Sequence, residues 1–157
     1  LQGTPTEKQV DYHRAINKPI HYNSKLYEGY MAGGMNALLD GYRGGLTYLD
    51  GRWQGYLDDL DCVIDMEEET DIHKVSIRFM QLTGPGVFQP GQVELLTSED
   101  GENFISCGIV PTTIPSDDPN LLFQEYTFNG NWKARYVRLK APRANPGFIF
   151  ADEIVVW

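Results

Sequence analysis

The chain has 157 residues, which suits a single domain with its own core, and its 41% apolar and 22% charged residues are typical of folded proteins. Its formal net charge is −9, and the only basic cluster lies in 133–143, so a nucleic-acid partner is disfavoured. The sequence contains no run of 18 apolar residues, so no membrane-spanning helix is predicted.

The first 19 residues are polar and differ in texture from the remainder of the chain. One helical turn could begin within "TEKQVDYHRAINKP", and Pro19 would end any helix there. We therefore predict that residues 1–19 form an extension or linker and that a single domain occupies residues 20–157.

The stretch "ALLDGYRGGLTYLDGRWQGY", residues 37–56, combines five glycines with two Asp-Gly pairs and several aromatic residues. It has too many glycines for a helix and is too long for a hairpin turn. The sequence therefore predicts a long aromatic loop, a type of segment that commonly carries function.

From residue 60 onward, alternating apolar stretches are separated by turn sequences rich in glycine, proline, asparagine and aspartate. Asp100-Gly101 is a hairpin signal between two such stretches. The pattern predicts an all-β fold, an antiparallel jelly-roll β-sandwich of about eight strands, with its chemistry on the loops at 41–57, 82–91 and 142–148. The predicted strands after the long loop are 60–66, 73–81, 92–98, 103–110, 121–128, 134–141 and 149–157.

No arrangement typical of a catalytic site is present. The acidic runs at 58–61 and 67–71 flank strand ends and are interpreted as solvated turns. Cys62 and Cys107 lie within apolar stretches without metal-ligand spacing, which favours small buried residues over a disulfide or a reactive thiol. The chain is therefore predicted not to be an enzyme. The three histidines, His13, His21 and His73, share no helix face and lie near no probable nucleophile.

Several separated segments match one known pattern. "LLDG", "DLDCVIDM", "DIHKVSIRFMQ", "VELLTSEDGENF", "ARYVRLKA" and "FADEIVVW" follow one another in an order that resembles the discoidin-like domain, also called the coagulation factor V/VIII type C domain. Many family 32 carbohydrate-binding modules belong to it. The version "YMAGGMNALLDGYRGG" looks closest to the C-terminal module of bacterial family 20 β-hexosaminidases. The resemblance spans residues 20–157 and implies one structural calcium and a shallow sugar site on the loops.

For calcium, the resemblance implies carboxylates from Asp40 and Glu153, with further oxygen atoms from Arg43 and Thr47. The ion prefers six to eight oxygen ligands, and it would tie the long loop to the last strand. The spacing between Asp40 and Thr47 is longer than in the family, so the carbonyl of Arg43 could replace the threonine. The alternative is an Asp-Gly turn and a solvated acid without any metal.

A sugar site needs an aromatic ring for the apolar face of a pyranose and a few planar polar groups beside it. The family's histidine is replaced by Asp50, and its arginine and asparagine are absent from 82–91, whereas Trp53 and Phe148 keep the aromatic positions. Trp53 is equally compatible with a core residue that anchors the loop. The candidate ligand-binding residues are Tyr48, Asp50, Trp53, Phe88, Gln89 and Phe148.

The sequence therefore predicts a noncatalytic carbohydrate-binding module of a secreted bacterial glycoside hydrolase, with a β-hexosaminidase as the expected parent. It would bind terminal galactose or N-acetylhexosamine weakly, as a monomer outside the cell, on its surface or in the periplasm. The alternative is a structural accessory domain that packs on the parent catalytic domain without binding sugar. Binding to anionic membranes is disfavoured by the net charge of −9.

Overall fold

The structure, a computed structural model, describes residues 13–157. Its helical segments are two 3₁₀ turns, Glu28–Tyr30 and Ala37–Leu39, and within residues 13–157 no helix has the length and hydropathy needed to cross a bilayer. The seven strands are β1 (Ile20–Tyr22), β2 (Gln54–Tyr56), β3 (Leu60–Gln81), β4 (Gln92–Ser98), β5 (Ile105–Pro111), β6 (Leu122–Ala141) and β7 (Ile149–Val156).

The strands form an antiparallel β-sandwich. Their hydrogen-bonded order is β2-β7-β3-β6-β4-β5, with β1 added to β3. β3 pairs with β1 through residues 62–64 and with β7 through residues 75–80, so its two halves lie in different layers. Between these halves the register to β6 shifts near residues 65–74, and Glu67 has a φ of 73°. Such bulges bend a strand sharply, which lets β3 and β6 pass together from one layer to the other.

Two pairs of predicted strands are therefore each one long strand. The predicted strands 60–66 and 73–81 are both part of β3, and 121–128 and 134–141 are both part of β6. The turn-like residues between them form bulges rather than loops because β3 and β6 stay paired with each other through the bend. The all-β sandwich is confirmed, with seven strands instead of about eight.

The core confirms the alternation predicted for residues 60–66. Leu60, Cys62, Ile64 and Met66 are all buried in one cluster. Residues from the second half of β3, from β6 and from β7 join the same cluster, so both layers contribute to it. Cys62 and Cys107 are free thiols, and burial raises the pKa of Cys62 to about 12, as expected for an unreactive core residue.

The described part of the predicted extension packs against the sandwich. Ala15 is buried in the core, and the backbone N–H of Arg14 donates to the carbonyl of Val156 at 2.9 Å. Pro19 accepts a hydrogen bond from the amide of Asp65, also at 2.9 Å. Residues 13–19 thus contact β3 and the end of β7, and residues 1–12 of the predicted extension lie outside the described residues.

Candidate functional site

The loops predicted to carry function meet at one pole of the sandwich. β3 and β6 begin and end there, and their bends lie at the opposite pole. Loop 82–91 is joined to loop 142–148 because the amide of Phe88 donates to the carbonyl of Phe148 at 2.9 Å, and the amide of Phe148 donates to Gly86 at 2.8 Å. Gly147 allows this approach: its φ is 131°, and a Cβ there would lie 2.4 Å from the Gly86 oxygen.

Five aromatic rings, hereafter the aromatic cluster, pack together at this pole. Tyr30 is the central ring, with its centroid 5.2 Å from that of Phe148, 5.1 Å from Phe150 and 6.0 Å from Tyr48. Tyr27 packs edge-on against Phe148 at 5.1 Å. Phe150 is fully buried and packs under Tyr30, Tyr48 and Phe148, and the four rings other than Phe150 reach the surface to different degrees. Edge-to-face pairs of this kind stabilise a fixed ring arrangement.

A cleft of about 480 Å³ opens beside the cluster, between residues 28–32 and 48–53. Its walls include Tyr30, Met31, Tyr48 and Leu49, and among the residues that the structure describes Glu28 is the only charged one that lines it. The phenol groups of Tyr30 and Tyr48 have no hydrogen-bond partner within residues 13–157, so both can bind a ligand. Apolar walls with a few unpaired polar groups are typical of small-ligand sites.

Tyr48 and Phe148 are the predicted ligand residues that the structure brings into this cluster. Tyr27, Glu28 and Tyr30 were not predicted from the sequence. The only local sign of a binding role was the pair of tyrosines in "YEGY", residues 27–30. Their spacing from the glycine-rich loop matches no known motif. Their position depends on contacts with β7 residues that are distant in sequence.

Trp53 is one of the residues that line the cleft, but it is almost fully buried, which favours its interpretation as a loop anchor over a sugar platform. Its exposed fraction is 1%, and its ring stacks on Phe123 at 5.7 Å with an interplanar angle of 20°. Its indole N–H donates to the carbonyl of Gly45 at 3.1 Å. A Cβ on Gly44 would lie 2.2 Å from the indole ring, so the loop needs a glycine at this point.

Two of the predicted polar ligand residues have structural partners instead. Gln89 is buried, and its side chain bonds the carbonyl of Phe79 at 3.0 Å and the hydroxyl of Tyr126 at 2.9 Å. Asp50 is exposed but accepts the amides of Gly45 at 2.7 Å and Arg52 at 2.9 Å, which orders the loop. Phe88 is half-buried beside Gly147, outside the lining of the cleft.

An ionic clamp fastens the glycine-rich loop to β7. The Arg78 guanidinium donates through Nε and Nη2 to Asp152 Oδ2, and Nη2 also donates to the carbonyl of Gly44 at 2.9 Å. The amide of Gly44 donates to the same Asp152 oxygen at 3.0 Å. Burial raises the pKa of Asp152, while Arg78 and the Gly44 amide oppose that rise. Arg43 adds a contact to Glu125 at 3.1 Å.

Asp40 and Glu153, the two predicted calcium ligands, lie beside each other. The amide of Gly41 donates to Glu153 Oε2 at 2.8 Å, and His13 Nε2 lies 2.7 Å from the same oxygen. Burial, together with the nearby carboxyl groups of Asp40 and Asp152, raises the pKa of Glu153 to about 10, although the Gly41 amide opposes the rise. Burial also raises the pKa of Asp40.

Part of this arrangement fits a cation. Glu153 Oε1 is buried without a hydrogen-bond partner, which is the environment of a missing positive ligand. Within residues 13–157, however, no group of three or more His, Cys, Asp or Glu side chains is placed to hold a metal. Thr47 is exposed, and its hydroxyl accepts the amide of Leu49 at 3.2 Å, so this hydroxyl does not join the carboxylate pair. The side chain of Arg43 is directed towards Glu125 and Asp152.

The β-sandwich fold, with its loops gathered at one pole, agrees with the family that the sequence matches. Residues 20–154 match the family model of the F5/8 type C domain. The chain therefore belongs to the F5/8 type C domain family, as its motifs indicated. No curated protein matches it significantly.

Solved structures show the same fold. Chitosan-binding module 1 of a chitosanase/glucanase from Paenibacillus sp. IK-5 superposes with a TM-score of 0.62 at 14% identity, over 94% of this chain and 99% of that one. CBM32-5 of Clostridium perfringens, in complex with GalNAc-β-1,3-galactose, superposes with a TM-score of 0.59 at 21% sequence identity, over 90% of this chain and 95% of that one. CBM32-1 from a family 31 glycoside hydrolase of the same organism superposes with a TM-score of 0.60 at 19% sequence identity, over 94% of this chain and 99% of that one. These neighbours are carbohydrate-binding modules.

Proposed function

We propose that this domain is a noncatalytic carbohydrate-binding module that holds a glycan in the cleft beside the aromatic cluster. The observation that carries the proposal is the pair of rings, Tyr30 and Tyr48, whose unpaired phenol groups line a cleft with apolar walls. Aromatic rings bind the C–H face of a pyranose, and the phenol groups and Glu28 can bond its hydroxyls.

The proposed ligand is a terminal galactose or N-acetylhexosamine, and the proposed parent is a secreted glycoside hydrolase, most specifically a β-hexosaminidase. The sugar complex of the C. perfringens neighbour and the chitosan-binding neighbour support a glycan ligand. A shallow cleft with two ring contacts predicts weak binding, with dissociation constants of about 0.1 to 1 mM. Weak binding suffices to keep a tethered catalytic domain near a polymer.

The test is calorimetric titration of the domain with galactosides and with β-linked N-acetylhexosamine oligosaccharides. We expect saturable binding to at least one of these groups at millimolar ligand concentrations. Maltose serves as the control sugar, because its size is comparable and its linkage and configuration differ. The absence of saturable binding to every galactoside and N-acetylhexosaminide would contradict the proposal.

The second candidate function is a structural accessory domain that packs on the parent enzyme. The observation in its favour is the exposure of Leu46 and Leu49, at 75% and 67%, on the loop beside the cleft. Exposed leucines on neighbouring positions are typical of a contact surface. This candidate predicts that Leu46→Ser, at a residue outside the lining of the cleft, lowers the melting temperature of the full-length parent without changing sugar binding by the isolated domain.

We further propose that Asp40 and Glu153 hold a structural calcium ion. The unpartnered Glu153 Oε1 and the adjacent Asp40 carboxyl group support a cation here, and backbone carbonyls of the loop, with Arg43 as the proposed donor, would complete its coordination. When bound, the ion would neutralise the buried Glu153 and the half-buried Asp40 carboxylates and fasten the loop to β7. As placed, Thr47 would not contribute its hydroxyl.

Calcium removal tests this site. After treatment with EDTA, the melting temperature is expected to fall by about 5 to 10 °C and to recover with CaCl₂ but not with an equal concentration of MgCl₂. Asp40→Asn should abolish the response, whereas Asp117→Asn, an exposed acid elsewhere, should retain it. Identical melting curves with EDTA and with calcium would contradict the proposed metal site.

A further inference from the structure

Glu28 differs from the other carboxylates around the cleft in having no protein partner. It is exposed and forms no hydrogen bond or ion pair within residues 13–157. By contrast, Asp50 accepts two loop amides, and Asp58 accepts the amides of Lys25 and Asp59. A carboxylate that is not used to order its own loop is available to a ligand.

The positive side chains of the surrounding loops are engaged elsewhere. Arg52 stacks over Tyr42 at 4.3 Å, Arg43 contacts Glu125, and Arg78 contacts Asp152. Lys25 lies with Asp58 in a separate depression next to Tyr27. Among residues 13–157, no basic residue lines the cleft, and the whole chain has a net charge of −9, which favours a negative potential there.

We propose that the cleft prefers glycans that carry a protonated amino group, meaning unacetylated hexosamine units, and that Glu28 determines this preference. The inference rests on the proposed function and specifies the ligand class of the same site. The ammonium group would donate a charge-assisted hydrogen bond to the Glu28 carboxylate and would lie near the faces of Tyr30 and Tyr48, which attract cations. An acetamido group gains neither contribution, and a uronic acid is repelled by Glu28.

The experiment compares three ligands by calorimetry at about pH 6, where sugar amines are protonated. They are a β-1,4-linked glucosamine tetramer, its fully N-acetylated counterpart and a galacturonic acid tetramer. The wild-type domain is expected to bind the amine form about fivefold more tightly than the acetylated form, and to bind the acidic form more weakly than either. Raising NaCl from about 50 to about 500 mM should remove most of this preference.

Glu28→Gln tests the role of the carboxylate with little change in shape. It is expected to lower affinity for the amine tetramer about fivefold and to leave affinity for the acetylated tetramer unchanged. Glu102→Gln, an exposed glutamate in the hairpin at the opposite pole, is the matched control and should change neither affinity. Melting curves check that both variants fold.

The outcomes separate this inference from the function on which it rests. Equal affinity for amine and acetylated tetramers, or a Glu28→Gln variant that keeps the preference, overturns the inference and leaves the carbohydrate-binding proposal standing. If neither of these tetramers binds and the galactoside titrations are also silent, both proposals are wrong. A preference that depends on Glu28 and on salt supports both.

Discussion

Replacing Asp152 by asparagine is expected to lower the free energy of unfolding by about 3 kcal/mol. Asp152 is fully buried, and one of its oxygens accepts hydrogen bonds from Arg78 and from the amide of Gly44. The neutral amide leaves the Arg78 guanidinium without its counter-charge and directs an NH₂ group or a weaker acceptor at these donors. Breaking a buried pair on one side costs far more than removing a surface pair.

Urea denaturation at neutral pH measures this change. Asp65→Asn is the matched control, since Asp65 also pairs with an arginine through two hydrogen bonds, 2.8 and 3.0 Å from Arg135, but on the surface. We expect the control to lose less than about 1 kcal/mol. If the Asp152 variant is as stable as the Asp65 variant, the clamp does not hold the glycine-rich loop to β7.

Removing the ring of Tyr48 is expected to weaken glycan binding about tenfold, equivalent to about 1.4 kcal/mol. Tyr48 lines the cleft and contacts two rings of the aromatic cluster, Tyr30 at 6.0 Å and Phe150 at 5.3 Å. Tyr48→Ala thus removes ligand contact while Tyr30 keeps its packing against Phe148 and Phe150. Tyr30→Ala would remove the centre of the cluster and is a poorer test.

Titration with the best wild-type ligand measures the effect, and melting curves show whether the variant folds. Tyr136→Ala is the control, because Tyr136 is a half-buried tyrosine that packs by Gly101 in the hairpin at the opposite pole. Its affinity should equal that of the wild type. A folded Tyr48→Ala domain with unchanged affinity would show that the glycan binds elsewhere.

The fold could be predicted from sequence in most of its parts. Alternation over residues 60–66 identified four buried side chains correctly, and Asp100-Gly101 marked the hairpin between β4 and β5. The bends of β3 and β6 could not be predicted, because residues 67–70 have the composition of a turn. Whether such residues form a loop or a bulge depends on the pairing of the partner strand.

The candidate site was predictable in smaller part. The glycine-rich loop and the pairing of Asp40 with Glu153 were expected, and the structure places these carboxyl groups together. No role was predicted for the side chains of Asp152, Arg78 and His13. Arg78 pairs with Asp152 and His13 pairs with Glu153, and the two partners of each pair are distant in the sequence.

By itself, the sequence determined the β-sandwich, the family and the pole where the functional loops gather, because alternation, turn residues and motif order are local properties of the chain. Only the tertiary structure decided that Trp53 lies under the loop, that Gln89 is buried, and that Tyr30 packs against Phe148 and lines a cleft with Tyr48. The physical reason is that exposure of a loop side chain depends on which remote strands and loops close over it. Neighbours in the sequence do not encode that closure.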